Sequence, residues 1–142
     1  MKLLRFVASF AFGFGLVTGA SAGLVGVKSI EIKNAIPTWL QVAEAQAFNM
    51  ANVNVAASAN GGSASATSVW EAASNAGQAI DGNTTGAHPN IYHSATGAAS
   101  ESLTITFSAV QELDVFAIFG RDSYGDRDVY DIAFKNEAGQ TL

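Results

Sequence analysis

Three stretches of the chain alternate apolar and polar residues with the period of two that a half-buried strand requires. Ile30 and Ile32 alternate with Ser29, Glu31 and Lys33; Leu103, Ile105 and Phe107 alternate with Thr104 and Thr106; Tyr130, Ile132 and Phe134 alternate with Asp131, Ala133 and Lys135. Trp39 to Phe48 and Leu113 to Phe119 are more continuously apolar, as strands covered on both faces are. No comparable helical stripe follows residue 22. The pattern predicts an all-β domain, and strands separated by turn-rich segments predict an antiparallel β-sandwich or jelly roll.

The segment from Asn49 to Gln78 is rich in Ala, Ser, Asn and Gly. Asn60-Gly61-Gly62 and the many hydroxyl side chains, which compete for backbone hydrogen bonds, work against a helix there. A short strand near Asn54 to Ser58, a loop and one helical turn near Trp70 to Ala76 are expected. A flexible linker is the alternative, although Val53, Val55, Val69 and Trp70 make the segment more apolar than linkers usually are. At the far end, Asn136-Glu137-Ala138-Gly139-Gln140 has the composition of a hairpin turn, and Thr141-Leu142 reads as the start of a further strand. The domain is therefore expected to lack its last strand.

The N-terminus follows a different pattern. Lys2 and Arg5 precede an uncharged apolar run from Phe6 to Val17 and then Thr18-Gly19-Ala20-Ser21-Ala22, the three regions of a secretory leader with its cut after Ala22. The run is shorter than the 18 or so residues of a spanning helix, so cleavage is expected rather than retention as an anchor, leaving a secreted or cell-surface protein with no stable membrane span. Residues 1–22 are read as signal peptide and 23–142 as one domain, of ordinary single-domain size.

That domain holds five basic residues (Lys28, Lys33, Arg121, Arg127 and Lys135) against twelve acidic ones, a net charge of −7. Nucleic acid is excluded as a partner, because phosphate affinity needs clustered Lys and Arg. The chain has no cysteine, so neither a disulfide nor a thiolate metal site can staple it, and a hard cation held by oxygen ligands is the remaining option. No nucleophile elbow, zinc-protease helix or phosphate loop is present. Adjacent His93 and Ser94 would point to opposite faces of a strand, and carboxylates such as Asp126 and Asp128 on an exposed turn lack the apolar pocket that raises an acid's pKa. A non-catalytic role is expected.

Five motifs in order carry a resemblance: Trp39-Leu40-Gln41-Val42-Ala43-Glu44; Ala79-Ile80-Asp81-Gly82-Asn83-Thr84; His93-Ser94; Leu103-Thr104-Ile105-Thr106-Phe107; and Gly120-Arg121 leading to Arg127-Asp128-Val129-Tyr130-Asp131-Ile132. Together they resemble the discoidin, or coagulation-factor type C, domains of the galactose-binding-like superfamily, to which the F-type lectins and many bacterial carbohydrate-binding modules also belong. The resemblance spans about Val27 to Leu142. It implies a secreted carbohydrate-binding module whose partner is a glycan or cell-surface carbohydrate, gripped by loops at one end of the sandwich. A structural or adhesive domain contacting protein or lipid, or a binding appendage of a larger enzyme, is the alternative.

In that family the Asp-Gly-Asn turn builds a structural Ca²⁺ site, which here implies Asp81, Asn83 and Ser94 as oxygen donors, consistent with the six to eight oxygens calcium takes. An ordinary turn, with Asp81 bonded to its own backbone, is the other reading of these residues. The resemblance to F-type lectins implies His93, Arg121 and Arg127 as sugar contacts. Arg121 follows His93 by 28 residues and Arg127 follows Arg121 by six. The acid lies directly beside Arg121, at Asp122, and the family's loop cysteines are absent, which leaves the sugar's identity open. Tyr124 or Tyr92 would stack on a sugar's apolar face. Alternatively, Arg121 and Arg127 neutralise Asp122, Asp126, Asp128 and Asp131 on a solvated loop.

Overall fold

The computed structural model describes Lys2–Arg5 and residues 23–142. The apolar run and cleavage site of the expected leader, within residues 6–22, lie outside the described residues.

The described residues form eight strands, with short 3-10 turns between them: β1 (Lys2–Arg5), β2 (Leu24–Asn34), β3 (Gln41–Val42), β4 (Glu44–Asn49), β5 (Ser63–Ala66), β6 (Tyr92–His93), β7 (Ser102–Phe119) and β8 (Tyr130–Lys135). Every pairing is antiparallel. The described chain is thus all-β, with a six-stranded sheet built around β7 and a separate ribbon of β3 and β6.

One edge of β7 carries β1 and then β2, and the other carries β4 and then β5. The two stretches expected as separate strands, Leu103 to Phe107 and Leu113 to Phe119, are the two ends of this one element. Between them the register slips: β2 advances only from Ser29 to Val27 while β7 runs from Thr106 to Gln111. The extra residues, Ser108 to Val110, bulge into solvent.

The core follows the period of two. Val27, Ile30, Ile32, Leu103, Ile105 and Phe107 are buried, and Phe116 meets Phe134 edge to face at 5.6 Å between centroids. Each such side chain contributes roughly 1.5–3 kcal/mol on burial. Outward-facing Glu31 takes Lys33 at 3.3 Å and Lys135, across the sheet on β8, at 2.9 Å. Those lysines draw the Glu31 carboxyl below its ordinary range.

The expected strand near Asn54 to Ser58 is absent. Asn54 makes one bridge with Phe48, and its side-chain oxygen accepts from the Ala47 and Ala56 amides. The chain then closes in a 3-10 turn at Ser58–Asn60, and the strand forms later, as β5. The turn expected near Trp70 to Ala76 is present as 3-10 segments at Ala72–Ser74 and Ala76–Ile80. Among the described residues, no helix is long and apolar enough to cross a membrane.

Candidate functional site

The β3–β6 ribbon is only two residues long on each strand, pairing Gln41 with His93 and Val42 with Tyr92, and all four side chains are buried. It places two loops side by side. Trp39 emerges just before β3, and Trp70 is fixed by its amide, which donates to the His93 carbonyl at 2.8 Å. Both indoles stay well exposed, at 38% and 56%. Between them opens a cleft of about 320 Å³ lined by Trp39, Trp70, His88, His93, Arg121 and Arg127.

The arginines come from the loop joining β7 to β8. Gly120 begins it, and the absence of a side chain is required there: a Cβ would lie 1.9 Å from the Asp128 carboxylate oxygen. The loop folds back through hydrogen bonds from the Tyr124 amide to the Arg121 carbonyl and from the Arg127 amide to the Tyr124 carbonyl. Ser123 takes the left-handed backbone, at φ +66°, a conformation that side chains other than Gly rarely adopt. Gly86 draws the His88 loop close, its carbonyl accepting from the Asp122 amide at 3.0 Å.

Tyr124 lies against both guanidinium groups, with Arg121 at 4.5 Å and Arg127 at 4.3 Å from its ring centroid; Arg127 also reaches the Trp39 ring at 5.5 Å. Among the described residues, neither arginine forms an ion pair with a carboxylate. Stacking, rather than neutralisation by the loop aspartates, is what holds them. Tyr124 therefore acts beneath the arginines rather than as a wall of the cleft.

His93 presents its ring and not its nitrogens. Its Nδ1–H donates to the Ser94 carbonyl at 2.8 Å, so Nε2 carries the lone pair that accepts from the Gln41 amide at 2.6 Å. Burial pushes the imidazole below its ordinary pKa against the opposing pull of the Ser94 carbonyl, and the nearby Arg121, His88 and Arg127 add to the downward push. The neutral ring lies 5.6 Å from Trp70 and 5.7 Å from His88. Tyr92 is fully buried, its hydroxyl donating to the Ser68 carbonyl, so it is not a surface on which a ligand can stack.

Ser74, His88 and Glu71 cluster nearby, but not as a hydrolytic triad. Both Ser74 Oγ, at 3.3 Å, and Glu71 Oε1, at 3.1 Å, approach the same ring nitrogen, Nε2, whereas a triad needs the acid and the nucleophile on opposite nitrogens. The Ser94 hydroxyl is equally remote from that role: it accepts from the Leu40 amide and donates to the Thr96 carbonyl.

The Asp81-Gly82-Asn83 segment forms nested turns. Asp81 accepts from the Asn83 amide at 2.8 Å, Asn83 accepts from Thr85, and Gly82 takes φ +93°. Ser94 makes no hydrogen bond to this turn. The unforeseen neighbour is Glu44, fully buried, whose Oε2 accepts from the Gly82 amide at 3.3 Å while Oε1 has no partner. Burial raises its carboxyl to about 7, with the Gly82 amide opposing and the Asp81 charge adding to the rise. Among the described residues no three acidic or histidine side chains converge as a metal site. As a calcium donor set, the turn and Glu44 offer two carboxylates and an orphaned oxygen, while the Ser94 hydroxyl is engaged elsewhere.

Of the residues singled out from sequence, His93, Arg121 and Arg127 meet at one cleft and Tyr124 lies behind it. Trp39, Trp70, His88 and Gln41 were not singled out as site residues; the exposure of the two indoles, which reveals them, is a property of the folded chain. No family model matches the chain, and neither a curated protein nor a solved structure is found to be similar to it.

Proposed function

We propose that this protein is an exported, non-catalytic module that binds carbohydrate in the cleft between Trp39 and Trp70. The observation that carries the reading is the convergence there of two exposed indoles with two guanidinium groups. Indole faces cover the apolar C–H faces of a sugar ring, and fixed N–H donors orient its oxygens. The antiparallel sheet is compatible with a jelly-roll sandwich whose end loops hold the ligand. A structural calcium ion at the Asp81-Gly82-Asn83 turn belongs to the same reading; its support is the unpartnered oxygen of Glu44.

A glycan array probed with the full chain tests the function. Binding that is lost in Trp70→Ala and in the Arg121→Ala, Arg127→Ala double variant supports it; binding unchanged in both, or absent across the array with calcium present, rejects it. For the ion, thermal melting in calcium against chelator discriminates, since a ligand held only by the folded state raises the midpoint.

A further inference from the structure

We infer that the cleft selects an acidic glycan, one whose carboxylate or sulfate ester lies against the edges of Arg121 and Arg127; this rests on the carbohydrate reading above. The first support is an account of the positive charges between Gly23 and Leu142. Lys28 donates to the Phe107 and Ser108 carbonyls at 2.9 and 3.1 Å, and Lys33 and Lys135 both serve Glu31. Of the five Lys and Arg side chains between Gly23 and Leu142, Arg121 and Arg127 are the two with neither a carboxylate nor a carbonyl partner among the described residues, and both line the same cleft. In a segment carrying a net charge of −7, these two guanidinium groups share one cleft with no carboxylate of the described residues in ion-pair contact with either, although Asp122, Asp126 and Asp128 belong to the same loop.

The second support is the type of hydrogen-bonding group on offer. Arg and Trp side chains are donors only. His93 has both nitrogens engaged, and His88 Nε2 is taken by Ser74 and Glu71, so His88 Nδ1 is the one acceptor among the ring nitrogens of the cleft, set against the donors of two guanidinium and two indole groups. Neutral hydroxyls ask for acceptors as well as donors, whereas a carboxylate or sulfate asks only for donors. Tyr124 holds both guanidinium carbons over its ring, at 4.5 and 4.3 Å from the centroid, a contact that uses none of their N–H groups and leaves them for an anion, with which Arg bonds are short and paired. The Trp39 and Trp70 faces make the ligand a sugar ring bearing the charge rather than the inorganic ion.

The test is a titration of the full chain with matched pairs: uronic-acid, sialic-acid and sulfated oligosaccharides, each against its carboxyl-reduced or desulfated neutral counterpart, with inorganic sulfate as a separate arm. The expected result is at least one acidic glycan bound about tenfold or more tighter than its neutral partner, a margin that shrinks as salt is raised and disappears in Arg121→Gln, Arg127→Gln. The salt series on the unaltered protein decides the matter even where the double variant fails to fold. Equal affinity within every pair overturns the charge selection and leaves the carbohydrate reading standing. Binding of inorganic sulfate alone, or of no glycan at all, overturns both.

Discussion

Gln41 and His93 face each other across the β3–β6 ribbon, with the amide nitrogen of one 2.6 Å from Nε2 of the other. That contact, with the Ser94 carbonyl on the far side of the ring, fixes the Nδ1–H tautomer. Nitrogen-detected NMR should show that tautomer, with the ring titrating at lower pH than an ordinary histidine because it is buried. Gln41→Ala should cost about 1–3 kcal/mol, because it leaves a buried ring nitrogen without a donor. Gln41→Glu should raise the His93 pKa, and an unmoved titration curve would contradict the assignment.

Glu44 makes the protein less stable at neutral than at mildly acidic pH. Its folded-state pKa, raised to about 7 from 4.5, means that the folded form keeps a proton the unfolded form has lost. Stability should therefore fall as pH rises from 4.5 to about 7, by up to about 3 kcal/mol, and then level off. Denaturant midpoints in chelator-containing buffer check this. Glu44→Gln should flatten the dependence.

Glu101 acts in the opposite direction. It is buried, yet hydrogen bonds from Ser68, Thr67 and Thr96 outweigh the burial and hold its carboxyl below the ordinary range. Its contribution is full above pH 4.5 and is lost as pH falls through the depressed folded value. Glu101→Gln should lose about 1–3 kcal/mol at neutral pH and unfold less steeply in acid. Combined with Glu44, this predicts a stability maximum on the mildly acidic side of neutrality.

Gly120→Ala should weaken ligand binding without touching a ligand-facing side chain. Its Cβ would overlap Asp128, which accepts from the Tyr130 hydroxyl at 2.9 Å, so the arginine loop must shift. Overpacking of this kind typically costs about 1–3 kcal/mol. A melt lowered by that amount together with retained full affinity would show that the loop's position is unimportant.

The strands were readable wherever one face is apolar. Ile30 and Ile32 on β2, and Leu103, Ile105 and Phe107 on β7, bury every second residue, and a period of two can be seen in a linear sequence. β5 was not readable: Ser63-Ala64-Ser65-Ala66 carries no β-branched or aromatic residue, and it is a strand because β7 offers it an edge. The strand was expected instead near Asn54 to Ser58, but Asn54 turns its side chain onto the backbone and ends the ladder.

The site was legible in pieces. The arginines and His93 were singled out together, by the resemblance to F-type lectins. Trp39 and Trp70 are 31 residues apart and meet only through the hydrogen bond from Trp70 to the β6 backbone, a tertiary fact with no local signature. Glu44 was hidden for a different reason. In the run Val42-Ala43-Glu44-Ala45 it looks like an outward polar position, and only the packing of the Asp81 turn over it reveals a buried acid.

Strand β1 pairs Lys2 to Arg5 with Ile118 to Val115, on the edge of β7 that β2 occupies farther along. Cleavage after Ala22 would remove that strand and nothing else from the sheet. The precursor would then cover a stretch of the β7 edge that maturation would uncover: the amides and carbonyls between Val115 and Ile118 that β1 had paired, open to another extended chain. Export and the acquisition of a sticky seam would be one event, and faster amide exchange at Val115 to Ile118 after processing would be its trace.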